Sequence, residues 1–182
     1  MSVETSYRRF FAPRFYPTEE TLQYLTHVDG EQHMALGAVD CTREGEPGIG
    51  AARYVRLADR PSVAEAAVVV LDDYQRRGIG SILIAALSRY AADQGGPKDP
   101  ELPKIEAFRG FVLAENRDFL AYLRTLGAFN ERAHDGIIQL DMPVYACLED
   151  LPDGPGMARA RWAWRAVEEA RIGDCDGATA DG

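Results

Sequence analysis

Apolar residues change their spacing along this chain, and each change marks an element. Three apolar or alternating runs, Gln32–Asp40, Ile49–Leu57 and Val63–Leu71, predict strands, with Glu44-Gly45-Glu46-Pro47-Gly48 as the turn between the first two. At Ile79 the period lengthens. Ile79, Ile82, Leu83, Ala86 and Leu87 recur at helical spacing and predict a helix over 79–93. A Gly/Pro-rich loop over 94–103 follows, then a strand at Ile105–Leu113 and a helix at Asn116–Leu126 that stops at Gly127. Strands near Phe129–Arg132 and Gly136–Met142 complete the pattern. Before the first strand lie a short helix over 3–10 and a second over Pro17–Leu25, with Thr18 as its N-cap and Glu20 in its first turn. A last helix over Pro155–Ile172 carries Met157, Trp164 and Val167 near one face and Trp162 off it.

The densest chemistry lies where the third strand meets the 79–93 helix, at Gln75-Arg76-Arg77-Gly78-Ile79-Gly80. A strand that feeds a glycine turn at a helix start presents unpaired N–H groups and the positive end of the helix dipole to an anion. Glycines at 78 and 80 let the backbone approach closely, and Arg76 and Arg77 add positive charge. Two phosphate motifs are excluded. A dinucleotide fingerprint would need glycine where Leu83 stands, and a Walker A loop needs Gly-Lys-Ser/Thr, whereas the only lysines are Lys98 and Lys104. A plain strand-to-helix turn with glycines for packing accounts for the same residues without a ligand.

The turn has the form Q/R-x-x-G-x-G/A and resembles the pyrophosphate loop with which GNAT-superfamily N-acetyltransferases hold coenzyme A. The resemblance runs roughly from Thr5 to Val144 and has a second signature at Ala114-Glu115-Asn116, with Gly127 eleven residues beyond. Within the superfamily the chain is most similar to Pat-type protein lysine acetyltransferases. The stretches that carry this are Tyr7–Arg14, Thr26–Asp29, His33–Leu36, Ala51–Tyr54 and Ala64–Ala67.

This resemblance implies an α/β (α+β) fold, a mixed central sheet flanked by helices, that lacks the family's first strand and adds a C-terminal helix. It implies acetyl-CoA as cosubstrate and no metal. Glu65 stands where Pat-type enzymes carry their general base. An alkylammonium, with a pKa near 10.4, must lose a proton before it attacks a thioester. A carboxylate in an apolar strand is costly unless it is used or paired, although one near a strand's start can simply face solvent. The family pattern also implies that the Val68 amide polarises the acetyl carbonyl and that Val70 pairs with the pantetheine. Gln75, Arg76, Arg77, Gly78, Ile79, Gly80 and Ser81 would cradle the diphosphate, and Asn116 would contact the pantetheine while capping its helix. Where many relatives place an acidic tyrosine, seven residues after the asparagine, this chain has Leu123. Tyr122 beside it is rotated by ~100° around the helix.

At 182 residues the chain divides into an acetyltransferase domain (1–146), a helical appendage (147–172) and a disordered acidic tail (173–182). A net charge of −9 argues against nucleic acid and anionic membranes as partners and suits a cationic amine, either a protein lysine or a small molecule. Cys41, Cys147 and Cys175 are odd in number and widely spaced, as reduced thiols of a cytoplasmic protein are. His27, His33 and His134 lack ligand spacing; His33, heading a strand near the acceptor groove, is the one placed for substrate contact. Three functions remain open: protein lysine acetylation, acetylation of a small amine, and acyl-CoA binding without turnover. A missing first strand would leave the edge of Gln32–Asp40 bare, and with apolar residues on two sides of the last helix this predicts a homodimer.

Overall fold

A computed structural model describes residues 1–10, 16, 18–94 and 102–174. Two short helices, α1 (Val3–Phe10) and α2 (Glu19–Thr26), precede a six-stranded sheet. Thr18 caps α2 as its sequence implies, its hydroxyl accepting the Thr21 N–H at 3.2 Å. Strands β1 (His33–Val39), β2 (Gly48–Leu57) and β3 (Arg60–Val70) form an antiparallel meander. Helix α3 (Ile79–Ala92) crosses over to β4 (Ala107–Leu113), which runs parallel to β3. Helix α4 (Arg117–Thr125) leads to the hairpin of β5 (Phe129–His134) and β6 (Ile137–Pro143), and α5 (Ala158–Asp174) comes last. The sheet order is β1-β2-β3-β4-β6-β5. Asp135 and Gly136, with φ of 46° and 78°, turn the hairpin as a type I′ pair requires.

One core unites the sheet, α3, α4 and α5. Tyr54, Ala64 and Phe108 line the sheet side, Leu83, Ala85 and Leu87 come from α3, and Leu120 and Leu123 from α4. Met157, Ala160, Ala163 and Trp164 of α5 join the same cluster, Trp164 meeting the Tyr145 ring edge-on at 6.2 Å. The segment read from sequence as an appendage therefore contributes to the domain core. Its helix starts at Ala158 rather than Pro155 and takes in Gly173 and Asp174, which were expected in the tail; residues 175–182, with Cys175, lie outside the described residues.

α3 departs from its expected orientation. Ile79, Ile82 and Ala86 are only half-buried, while Ile84, Ala85, Ser88 and Ala91 are buried. The reason is that α5 covers the side of α3 away from the sheet, so the helix is enclosed on two flanks and its buried arc is wider than the predicted stripe.

α1 is tied to the turn after β3. Ser2 N–H and Oγ each donate to Asp72 at 2.6 Å and Thr5 Oγ1 donates at 2.7 Å; these bonds hold the Asp72 carboxyl well below the usual carboxylate range. A depressed pKa contributes stability above about 3.8, the ordinary value, and that contribution is lost as pH falls below it. Asp72→Asn at neutral pH, or acid in the native protein, is expected to lower the protection of the α1 amides relative to their intrinsic exchange rates before the sheet responds. Unchanged exchange in the variant would show that α1 is held by other contacts.

Candidate active site

The pairing of β3 with β4 is short. It joins Val63 to Ala107, Ala64 to Phe108 and Glu65 to Arg109, and it ends there. Beyond Glu65, β3 stays paired to β2 as far as Val70 and β4 stays paired to β6 as far as Leu113, so the two strands part. The Ser62 carbonyl accepts the Glu106 N–H on the β4 side, while the Leu71 N–H donates to Ile49 on the β2 side. Period-two alternation between those two points turns the backbone groups of Ala66, Val68 and Val70 toward the gap. Gln75 Nε2 donates to the Val70 carbonyl at 3.0 Å and to Thr5 Oγ1 at 2.9 Å, so its side chain braces the turn rather than reaching outward.

The gap leads to the glycine turn. Arg76 has φ 59° and Gly78 φ 88°, the left-handed conformation that glycine adopts without strain. Gly78 is the N-cap of α3 and supplies no side-chain cap, so the N–H groups of the first turn, from Ile79 to Ser81, are free of intrahelical partners. Gly80 has room for a Cβ, the nearest atom being a Val70 methyl at 3.7 Å. Gly78 does not, because a Cβ there would stand 2.6 Å from Cζ3 of Trp162. Arg77 lies over the Tyr74 ring, 5.1 Å from its centroid, and Ser81 points inward and is buried.

Glu65 stands where the strands part. Cross-strand pairing puts His33, Val55, Glu65, Arg109 and Asp141 in one row, hence on one face of the sheet. It is the face opposite the buried Ala64, and Glu65 is exposed on it. Arg109 is held beside Glu65 by a bidentate pair with the buried Asp141, at 2.8 and 3.0 Å. Burial alone would raise the Asp141 carboxyl, but the Arg109 and Asn130 hydrogen bonds outweigh it and keep the carboxyl low. Arg9 of α1 also feels the Glu65 charge; its own pKa is lowered by burial and by Arg53, an effect that Glu65 opposes. His33 is lowered by burial and by Arg53, whose guanidinium bonds its Nε2. With Glu20, Gln23, Thr26, His27 and Asp29, His33 lines an open groove of about 600 Å³.

One expectation for α4 changes. Asn116 takes the N-cap position of α4, but its side chain makes no cap hydrogen bond, so the double role expected of it loses its capping half. Leu123 is buried in the core, and the Tyr122 hydroxyl is buried beside Ser81 of α3. The contact of Trp162 with Gly78 and the arginines around Glu65 escaped the sequence reading, since register and helix docking create both. Among the described residues no three His, Cys, Asp or Glu side chains group as metal ligands, and no helix is long and apolar enough to cross a membrane. Phe11–Arg14 of the Pat-like N-terminal stretch and residues 95–101 of the loop after α3 lie outside the described residues.

A sheet that parts over an uncapped, glycine-started helix defines an acyl-CoA transferase architecture, and comparison with known proteins agrees. Residues 2–102 match the Acetyltransferase (GNAT) family. The chain is 36% identical over 147 residues to Acetyltransferase Pat of Mycolicibacterium smegmatis, a match covering 79% of this chain and 39% of that relative's length. The GNAT domain of S. lividans PAT superposes with a TM-score of 0.62 at 26% identity, over 79% of this chain and 78% of that one. Spermidine N-acetyltransferase from Vibrio cholerae shares the fold, with a TM-score of 0.55 at 15% identity over 78% and 83% of the two chains. The chain belongs to the GNAT acetyltransferase family, acyltransferases that use acetyl-CoA as cosubstrate.

Proposed function

We propose that this chain transfers acetyl from acetyl-CoA to an amine, preferentially a protein lysine, by direct attack in a ternary complex. The observation that carries the proposal is the coincidence of three features: the gap between β3 and β4, the uncapped start of α3 at the far end of the gap, and Glu65 where the strands part. The 36% identity to a Pat enzyme supports lysine as acceptor. So does the groove with Glu20 and Asp29, whose carboxylates suit an ammonium. His33 on its wall stands two strand spacings, about 10 Å, from Glu65 on the same sheet face.

In this reading the pantetheine lies in the gap as an added strand, pairing with the Val70 N–H, while the Val68 N–H donates to the acetyl carbonyl. Asn116, its amide uncommitted to the cap, meets the pantetheine from α4. The backbone of Gln75, Arg76, Arg77, Gly78, Ile79, Gly80 and Ser81 surrounds the diphosphate. Glu65 takes the ammonium proton, directly or through one water. The cations Arg9 and Arg109 beside it also favour the neutral amine over the ammonium. The amine nitrogen then bonds to the acetyl carbon, the C–S bond breaks, the electron pair leaves on sulfur as thiolate, and the nitrogen gives up its second proton to solvent as the amide forms. With Leu123 in the core, where many relatives place the acidic tyrosine, solvent protonates the thiolate.

Incubating the protein and labelled acetyl-CoA with a cell lysate, then mapping new acetyl groups by mass spectrometry, tests the reading. Acetyl on protein lysines is the expected result. Acetyl only on small amines would move the acceptor class, and cofactor binding without transfer would leave a binding module. For the cradle, Gly80→Asp is the sharper probe, because Gly78→Asp would also collide with Trp162. Gly80→Asp is expected to weaken CoA binding at least tenfold by placing negative charge against the diphosphate. Unchanged affinity by calorimetry would remove the cradle. The proposal keeps a homodimer joined at the outer edge of β1, which among the described residues pairs only with β2. Its α5 argument has gone, since Trp164 and Trp162 both meet this same chain. A monomer mass by light scattering at micromolar concentration would end the dimer.

A further inference from the structure

Helix α5 has an outer face that the core does not use. Met157, Ala160, Ala163, Trp164 and Val167 face inward, while Arg159, Trp162 and Arg165 follow one another at i, i+3 and i+6 on the exposed side. This face is not remote from the glycine turn. The Trp162 indole abuts Gly78, with Cζ3 and Cη2 standing 2.6 and 2.9 Å from where a Cβ would be, yet the residue is still 48% exposed. Arg159 lies on the same side, close enough to act on the Tyr122 hydroxyl, whose neighbour is Ser81 in the first turn of α3. Gly156, two residues before α5, packs against Thr125 of α4 close to this end of the helix. The result is an aromatic surface flanked by two arginines, beside the start of α3, in a protein of net charge −9.

We propose that α5 forms the binding wall for the far end of coenzyme A: the Trp162 indole stacks on the adenine, and Arg159 and Arg165 pair with the 3′-phosphate. The proposal rests on the reading of Gln75–Ser81 as the diphosphate cradle and extends it past the diphosphate to the nucleoside. An adenine has a π face that an indole or guanidinium accepts without reading base identity, and a phosphomonoester is the ligand group that suits two arginines. The wall would make affinity depend on the nucleotide, a part of the cosubstrate distant from the reacting thioester. It also gives a purpose to an exposed indole at a place where a closer-packed residue would do for the fold.

Titration calorimetry with CoA and with 3′-dephospho-CoA tests this in the full chain, alongside indole emission. The native protein is expected to bind CoA about tenfold tighter than 3′-dephospho-CoA, and CoA is expected to quench part of its emission. Trp162→Ala should weaken both ligands about tenfold, and Trp162→Phe should keep most of the affinity while losing the quenching. Arg159→Ala with Arg165→Ala should abolish the preference for CoA and leave 3′-dephospho-CoA binding unchanged. Equal CoA affinity in the native protein and in folded Trp162→Ala would overturn the proposal, as would tighter binding in the variant, which would mean that the indole covers the cradle. If Trp162→Ala does not fold, the native protein's quenching and its Trp162→Phe control decide alone, and an absence of quenching overturns the proposal. A native protein that binds no CoA at all would instead overturn the cradle itself.

Discussion

Glu65→Gln is expected to lower turnover by about 10²-fold or more while leaving CoA affinity intact. The substitution keeps the size and exposure of the side chain but removes its capacity to take a proton. Of the neighbours described above on that face, none can take over unchanged. Arg9 and Arg109 are cations, Asp141 is buried and committed to Arg109 and Asn130, and His33 stands two strands away, bonded by Arg53. Steady-state kinetics with a lysine peptide, paired with CoA calorimetry, separates the two quantities. Normal turnover with normal affinity would place the base elsewhere, or mean that the acceptor arrives neutral.

The largest effect on stability is expected at Trp164. Its side chain is 1% exposed, meets Tyr145 edge-on and lies in the single core that joins α5 to the sheet. Trp164→Ala should cost about 3–5 kcal/mol, the range for deleting a large buried aromatic, seen as a lower urea midpoint. Trp164→Phe should cost much less, because the indole Nε1 is buried without a hydrogen-bond partner among the described residues and phenylalanine removes that unmet donor. A small loss in the alanine variant would show that α5 docks independently of this residue. Since Trp162 shares the helix, the alanine variant should also free the glycine turn from its indole neighbour.

Much of the architecture was legible in the sequence because it depends on local period and local breakers. The three-strand run, the glycine start of α3, the stop at Gly127 and the Thr18 cap are decided by residues within a turn or two of one another. What escaped depends on partners distant in the chain. The buried arc of α3 is set by α5, which no periodicity inside α3 can announce. The face of Glu65 could be read from alternation, but its neighbours could not: Arg109 reaches it across a parallel pairing and Arg9 from the N-terminal helix. Asn116 was placed correctly at the start of α4, yet whether its amide bonds the helix is a matter of rotamer, which sequence does not encode. Gly78 looked like a concession to a ligand alone, and the structure adds a second reason, the indole pressed against it.

The parting of β3 from β4 has a thermodynamic side. Backbone groups of Ala66 and Val68 and the N–H of Val70 turn toward a gap that no strand among the described residues fills, so the native fold carries an unfinished ladder at its centre. In the proposed reading the cosubstrate supplies the missing rung partners, and binding to the native state alone adds RT ln(1 + [L]/Kd), about 2.7 kcal/mol at a hundredfold excess over Kd. That is a sizeable share of the stability of an ordinary domain. Lifetime against unfolding and proteolysis would then track the supply of acetyl-CoA, making the abundance of the protein a slow gauge of the metabolite that it consumes.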